Sequence, residues 1–293
     1  MKRLDKYNGC FKNLDSSIKV YWFGFIVGDG CIGMYDGYYI FKVILKDKEH
    51  VEKLAVFLGY SKDRVKLCKV KLYKNNNYYN LKIGCKELVT DLMSHGLTPR
   101  KSLTVDASVI PENYQWDFIR GLWDADGCIY LGRLSLKKMM DPHISLTGNY
   151  PLLEGIKNVI NDGGCLVEYK RASGTATQLS YGGRIQVERL LNKIYYSEPY
   201  LERKFKLYKV IKDYNSTHNV GEHIDRKYTI YKDGTSYYER TCLYCSNKFL
   251  VRTEDANRSD RGNNCGRFCS HSHSSLYYWK LRKEGDLDAA YVV

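Results

Sequence analysis

Residues 24–32 read GFIVGDGCI and residues 121–129 read GLWDADGCI. Gly24/Gly121, Asp29/Asp126, Gly30/Gly127, Cys31/Cys128 and Ile32/Ile129 match at a constant offset of 97 residues. A short apolar segment that ends twice in Asp-Gly, and runs twice into strand-like sequence, signals an internal duplication. It restricts the chain to folds built from two similar halves.

The rest of residues 15–214 follows the same duplication. Hydrophobic periodicity and turn residues predict, in the first half, a helix over 17–28 and strands over 31–34 and 39–46. A helix over 48–58, strands over 65–73 and 78–84, and a helix over 86–95 complete it. The second half repeats the order: a helix over 115–125, strands over 128–138 and 143–147, a helix over 151–160, strands over 165–171 and 175–181, and a helix over 184–194. Within VKLCKVKLY the alternation breaks step at Cys68–Lys69. The predicted fold is α+β, two pseudo-symmetric αββαββα units plus a small C-terminal module. The predicted divisions are 1–112 and 113–214 for the two units, 215–240 for a polar linker and 241–293 for the module.

On a helix, Gly24 and Gly28 share a face, as do Gly121 and Ala125, and residues so small let a second backbone approach closely. If the two helices pack on each other, their C-terminal ends meet and Asp29 and Asp126 lie side by side. Each carboxylate then faces the negative end of a helix dipole as well as a like charge. A divalent cation relieves both, and hard oxygen ligands left partly open suit Mg²⁺. Such an ion also activates water and stabilises charge on a leaving oxygen in phosphodiester hydrolysis.

The segments WFGFIVGDG (22–30) and IRGLWDADG (119–127) resemble the paired motifs of the LAGLIDADG homing endonucleases. The second is the closer match; the first has Val27 where the motif's inner acid usually stands and Gly28 where alanine is common. The resemblance covers residues 15–214. It implies that each half contributes a four-stranded sheet to a DNA-binding saddle, and that Asp29 and Asp126 hold Mg²⁺ at the dyad for double-strand cleavage by a single chain acting as a monomer. It further implies a catalytic role beside the metals for Lys101, in GLTPRKSL, and Lys204, in PYLERKFKL, with Arg100 and Arg203 touching phosphate or holding the loop.

A twisted antiparallel ribbon fits the major groove, where base edges carry a unique donor and acceptor pattern. Strand positions expected to face double-stranded DNA are Lys42, Lys46, Tyr78, Asn80, Lys82, Arg133, Lys137, Lys170, Arg171, Thr177 and Gln178.

The chain carries ten cysteines. Cys242 and Cys245 have the spacing of a zinc knuckle. Cys265 with Cys269 would complete a four-cysteine site; Cys269 with His273 would complete Cys₃His. The string also resembles small zinc-finger modules of phage and mobile-element endonucleases, by which Zn²⁺ would be bound by Cys242, Cys245, Cys269 and His273, leaving Cys265 spare. Arg252, Arg258, Arg261 and Arg267 would let the module touch DNA. Cys10, Cys31, Cys68, Cys85, Cys128 and Cys165 are expected to be small core residues.

Charge agrees with a polyanionic partner. Residues 1–214 hold 34 Lys and Arg against 23 Asp and Glu, so nearly all of the formal +13 lies there. No signal peptide or membrane span is recognisable, which predicts reduced thiols and a cytoplasmic or organellar rather than secreted protein. The Met1 start and the AAYVV end lack the residues protein splicing needs, so an intein is not expected. The expected function is site-specific DNA cleavage with Mg²⁺. An intron RNA maturase, a catalytically silent DNA-binding regulator on the same scaffold, and a generic zinc-finger DNA-binding protein remain the alternatives.

Overall fold

Helix α1 (Ser17–Asp29) has no polar face, and the computed structural model shows why: Val20 to Val27 are all buried. Its principal neighbour is α5 (Gln115–Asp126), buried from Asp117 to Asp124. The two helices touch backbone to backbone. A Cβ on Gly24 would strike the Phe118 carbonyl oxygen, and one on Gly28 would strike the Ala125 Cβ. A Cβ on Gly121 would strike the Tyr21 carbonyl oxygen and stand 2.7 Å from the Phe25 nitrogen. The small-residue faces are therefore the contact.

The structure describes residues 5–35, 37–69, 77–132, 140–171, 174–217, 229–232, 235–252 and 267–284. They form two compact units, Met1–Tyr214 and Asn215–Val293. In the first half of the larger unit, α1 is followed by β1 (Gly30–Tyr35), β2 (Tyr38–Leu45), α2 (Lys48–Phe57), β3 (Lys66–Cys68), β4 (Tyr78–Gly84), α3 (Lys86–Ser94) and α4 (Lys101–Thr104). In the second half, α5 is followed by β5 (Gly127–Tyr130), β6 (His143–Gly148), α6 (Tyr150–Ile160), β7 (Cys165–Arg171), β8 (Gly174–Gly182), α7 (Arg184–Ile194) and α8 (Glu202–Thr217). Each half makes one antiparallel sheet, ordered β1-β2-β4-β3 and β5-β6-β8-β7. The fold is α+β with duplicated topology, as the repeat predicts.

Strand alternation separates two faces. Phe41, Val43, Leu81 and Ile83 enter the core, as do Ile144, Leu146, Leu179 and Tyr181. The opposite face carries in-register rows: Cys31, Lys42 and Lys82 across β1-β2-β4, and Cys128, Ser145, Ser180 and Cys165 across β5-β6-β8-β7.

Several expectations change. The strand expected over 65–73 is described only at Lys66–Cys68, ending where the alternation broke, and residues 70–76 lie outside the described residues. The strand expected over 128–138 stops at Tyr130. Gly132 then turns with φ +80°, its Cα so close to Asp141 that a Cβ would stand 2.6 Å from the Asp141 carbonyl oxygen. The segment from Glu202 is a sixteen-residue helix, α8, with Tyr208 and Ile211 buried at helical spacing. The stretch 215–240, expected as linker, contains β9 (Thr229–Lys232) and most of β10 (Thr235–Thr241). These pair with β11 (Lys248–Arg252) in the order β11-β10-β9, because YTIYK and TSYYERT are rich in β-branched and aromatic residues. Helix α9 (His271–Glu284) is the last described element of the smaller unit.

Candidate active site and cysteine cluster

Asp29 and Asp126 are the last residues of α1 and α5. Glycine follows each for a steric reason. The chain turns from helix into strand so tightly that a Cβ on Gly30 would stand 2.5 Å from the Ile26 carbonyl oxygen, and one on Gly127 equally close to that of Trp123. Because the helices cross through glycine, their ends arrive together, and a Cβ on Gly28 would lie 3.1 Å from Asp126 Oδ2.

Burial raises both carboxyls above the ordinary aspartate range. For Asp29 the neighbouring Asp126 charge adds to this, bringing its pKa to about 6, with Lys204, Lys101 and Arg203 opposing. Repulsion within such a pair falls on whichever acid ionises second. Asp126 keeps an open side toward solvent while protein packs around the rest of its carboxylate. Two acids that resist ionisation, with one side open, make a donor set that fits a hard divalent cation.

The lysines do something the sequence reading missed. Lys101 Nζ donates to the carbonyls of Val27 and Gly28, in the last turn of α1. Lys204 Nζ donates to those of Trp123 (2.7 Å), Asp124 (2.7 Å) and Ala125 (3.4 Å), in the last turn of α5. Carbonyls at a helix C-terminus lack intrahelical partners and carry the negative end of the dipole, so each ammonium closes a helix while standing near both acids. Burial lowers both lysine pKa values, that of Lys204 to about 8, and the carboxylates resist the shift. Arg203 is exposed and pairs with Asp47 at 2.9 Å, tying the first turn of α8 to the start of α2. Arg100 is exposed, with φ +63° immediately before Lys101.

Asp124 stands where the first half has Val27, and is fully buried. It accepts from the Tyr21 hydroxyl (2.8 Å), the Tyr195 hydroxyl (2.9 Å) and the Leu201 N–H (2.7 Å). Tyr21 has spent its one proton there, so the 3.1 Å contact with His50 Nε2 requires that nitrogen to donate. At the other end of the helix pair, buried Asp117 accepts from Ser17 (2.6 Å), Arg120 (2.7 Å) and Tyr196 (2.7 Å). Burial together with these hydroxyl partners was invisible in the sequence; the only signal was acid letters inside an apolar helix.

Of the strand positions, Lys42 and Lys82 are directly paired and face away from the core, with Asn80, Tyr78 and Lys46 on the same face. Lys46 Nζ sits 5.6 Å from the Tyr78 ring. Gln178 shares the outward face of β8 with Ser180. Thr177 does not: it is 1% exposed, since neighbouring strand residues point to opposite faces. Lys170, paired with Thr175, is exposed but lies on the Thr177 side of the sheet. Arg133 and Lys137 lie outside the described residues, as does the side chain of Arg171.

The cysteine expectation is corrected as well. Only Cys10 of the six expected core cysteines is buried; Cys31, Cys128 and Cys165 are exposed, and Cys68 and Cys85 are intermediate. Cys31 and Cys128 are outward because they stand two residues past each aspartate, on the face opposite Ile32 and Ile129.

In the smaller unit Cys242, Cys245, Cys269 and His273 bring their ligand atoms within 4.8 Å of one another. Cys245 Sγ and Cys269 Sγ are 3.7 Å apart, and His273 Nδ1 is 3.0 Å from Cys269 Sγ and 3.7 Å from Cys242 Sγ. Sulfurs ~2.3 Å from a tetrahedral zinc stand ~3.8 Å apart, so the cluster has the size of a zinc site. Burial would raise the Cys242 thiol, but N–H groups of Cys245, Cys269 and Tyr244 outweigh it and lower it to about 6. Burial and the neighbouring thiols push Cys269 up to about 11. Cys265, Arg258 and Arg261 lie outside the described residues; Arg252 is exposed and Arg267 intermediate. Among the described residues no helix is long and apolar enough to cross a membrane.

No family model matches the sequence, and no curated protein matches it. Solved structures with a similar chain course include the I-LtrWI LAGLIDADG homing endonuclease bound to target DNA, at 13% identity, 69% coverage of this chain and 92% of that one, TM-score 0.48. I-GzeII, a LAGLIDADG homing endonuclease in complex with its DNA target, gives 13%, 69%, 92% and 0.49. The LAGLIDADG meganuclease I-AabMI bound to uncleaved DNA gives 18%, 67%, 89% and 0.44.

Proposed function

We propose that the chain is a single-chain LAGLIDADG-type endonuclease that hydrolyses both strands of a specific DNA site. The observation that carries this reading is the paired, half-open carboxylates at the crossing of two duplicated helices, each beside a lysine. Asp29 and Asp126 would hold Mg²⁺, which when bound supplies charge to a phosphoryl oxygen and lowers the pKa of a water. The chain's own part is to fix the two acids, keep the surroundings cationic and present two sheets to the duplex. Hydrolysis consumes one water per strand: its oxygen bonds to phosphorus as the bridging P–O bond breaks. One water proton ends on the departing hydroxyl and the other is released.

The outward Lys42, Lys46, Tyr78, Asn80, Lys82 and Gln178 are the proposed DNA contacts. Duplication supplies both halves in one polypeptide, so the active form is a monomer. Retention of both acids argues against a silent regulator.

Cleavage of a randomised duplex library in Mg²⁺, read by sequencing the cut ends, tests the proposal. The wild type should return one recurring site cut on both strands. Asp29→Asn and Asp126→Asn should keep binding and lower double-strand cutting by at least ~10³-fold. Undiminished cutting by both variants would remove the assignment.

The smaller unit is proposed to bind Zn²⁺ through Cys242, Cys245, Cys269 and His273, which stabilises a unit too small to rest on its core alone. Strong chelation should unfold it, measured as loss of amide protection over residues 235–252 and 267–284, while the larger unit keeps its protection. Unchanged protection in both units contradicts the metal reading.

A further inference from the structure

The two lysines occupy matching places but are not chemically equal. An ammonium has three N–H donors. Lys204 directs all three at the carbonyls of Trp123, Asp124 and Ala125, and is 3% exposed. Lys101 directs two at the carbonyls of Val27 and Gly28, has no third acceptor among the described residues, and remains partly exposed.

Their charge environments differ in the same sense. The acids that act most strongly on Lys101 are Asp126 and then Asp29, the pair at the helix ends. For Lys204 the strongest is Asp124, the buried acid that has Val27 as its counterpart, with Arg203 beside it and the two helix-end acids behind. Asp124 already takes hydrogen bonds from Tyr21, Tyr195 and Leu201, so its remaining charge is balanced by the nearby ammonium. Removing Lys204 from its place would take a donor from three carbonyls, of which that of Trp123 keeps the Gly127 N–H, and leave an uncompensated buried carboxylate at once.

We infer that the two strands are cut by unequal centres: Lys101 keeps one ammonium proton for the scissile phosphate or the attacking water, whereas Lys204 is a positioning residue committed to closing α5. The inference rests on the nuclease reading for its catalytic half and on geometry alone for its clamp half.

Two measurements separate these halves. With the two strands of the cognate duplex labelled differently, Lys101→Met should slow scission of one strand ~10²-fold, leave the other near wild type and lower the melting temperature less than Lys204→Met does. Lys204→Met should lower the melting temperature and slow both strands alike. Reductive methylation of the native wild type, read by mass spectrometry, covers the case in which Lys204→Met fails to fold. It should modify Lys101 readily and spare Lys204 until the protein is denatured.

The clamp is overturned if Lys204 methylates as fast as Lys101, or if Lys204→Met melts like wild type and slows a single strand. The role of Lys101 is overturned if Lys101→Met cuts both strands at the wild-type rate or slows them equally. A wild type that cuts no duplex removes the nuclease reading and the role of Lys101 with it, while the methylation contrast still decides the clamp.

Discussion

The halves of the larger unit share a topology but differ at the inner end of their central helices. In the first, α1 ends in Val27-Gly28-Asp29, with the buried run Val20 to Val27 behind it. In the second, α5 ends in Asp124-Ala125-Asp126, and Asp124 is threaded by hydrogen bonds to Tyr21, Tyr195 and Leu201. One end is held by packing and the Lys101 ammonium, the other by packing, the Lys204 ammonium and a buried carboxylate network that reaches across to α1 and, through Tyr21, to His50. The lesson is that duplication preserves the position of Asp29 and Asp126 while allowing the support behind each to diverge.

The largest stability effect expected is at the glycine crossing. Gly121→Ala should cost about 3 kcal/mol or more, because the added carbon overlaps the Tyr21 carbonyl and crowds the Phe25 nitrogen, neither of which is a flexible side chain. Gly24→Ala meets the Phe118 carbonyl less closely and should cost less. Denaturant melts of the two variants settle the order. Equal, small losses would mean that the helices are not in backbone contact.

Replacing Asp124 with the residue of the other half comes next. Asp124→Val should cost about 3 kcal/mol, since it strands the Tyr21 and Tyr195 hydroxyls, the Leu201 N–H and the Lys204 charge. Val27→Thr, a polar change in the apolar half, should cost less, about 1 to 2 kcal/mol. If Asp124→Val proves neutral, the network is dispensable and the halves are equivalent after all.

The smallest effect is in pH. The folded pKa of Asp29, about 6, lies above its unfolded value near 3.8, so the folded state favours the protonated acid. That contribution is complete below about pH 4 and is lost as pH rises through about 6. His50 works the other way: burial among aromatic rings, helped by Lys53, Arg203 and Lys204, lowers its folded pKa to about 3, so its contribution is present above its unfolded pKa near 6.5 and lost as pH falls. Subtracting an Asp29→Asn series from wild type in metal-free buffer cancels the His50 part. The difference, wild type minus variant, should fall between about pH 4 and about pH 6 and level off above that; a flat difference across this range would mean that Asp29 is not perturbed.

The duplicated order of helices and strands was legible because periodicity, Asp-Gly stops and small-residue spacing are local signals. So was the pairing of Asp29 with Asp126, which follows from the repeat itself. The lysine clamps were not legible, since a backbone carbonyl leaves no letter in a sequence and the partners lie more than seventy residues apart. Thr177 was misread because Thr177 and Gln178 are adjacent and a strand sends neighbours to opposite faces; only the register with Gly148 and Thr147 decides which goes out. Cys31 and Cys128 were misread as core because cysteine is usually buried, whereas here the residue after each Asp-Gly begins the outward row of its sheet.

The central claim is that two glycine-packed helices bring Asp29 and Asp126 close enough to share divalent metal. Anomalous scattering from crystals of the DNA complex grown with Mn²⁺ tests it most directly. Manganese should appear within ~2.3 Å of an oxygen of each carboxylate, and should be absent from crystals of the Asp29→Asn, Asp126→Asn double variant. Manganese bound elsewhere, with both carboxylates free of it, would contradict the account.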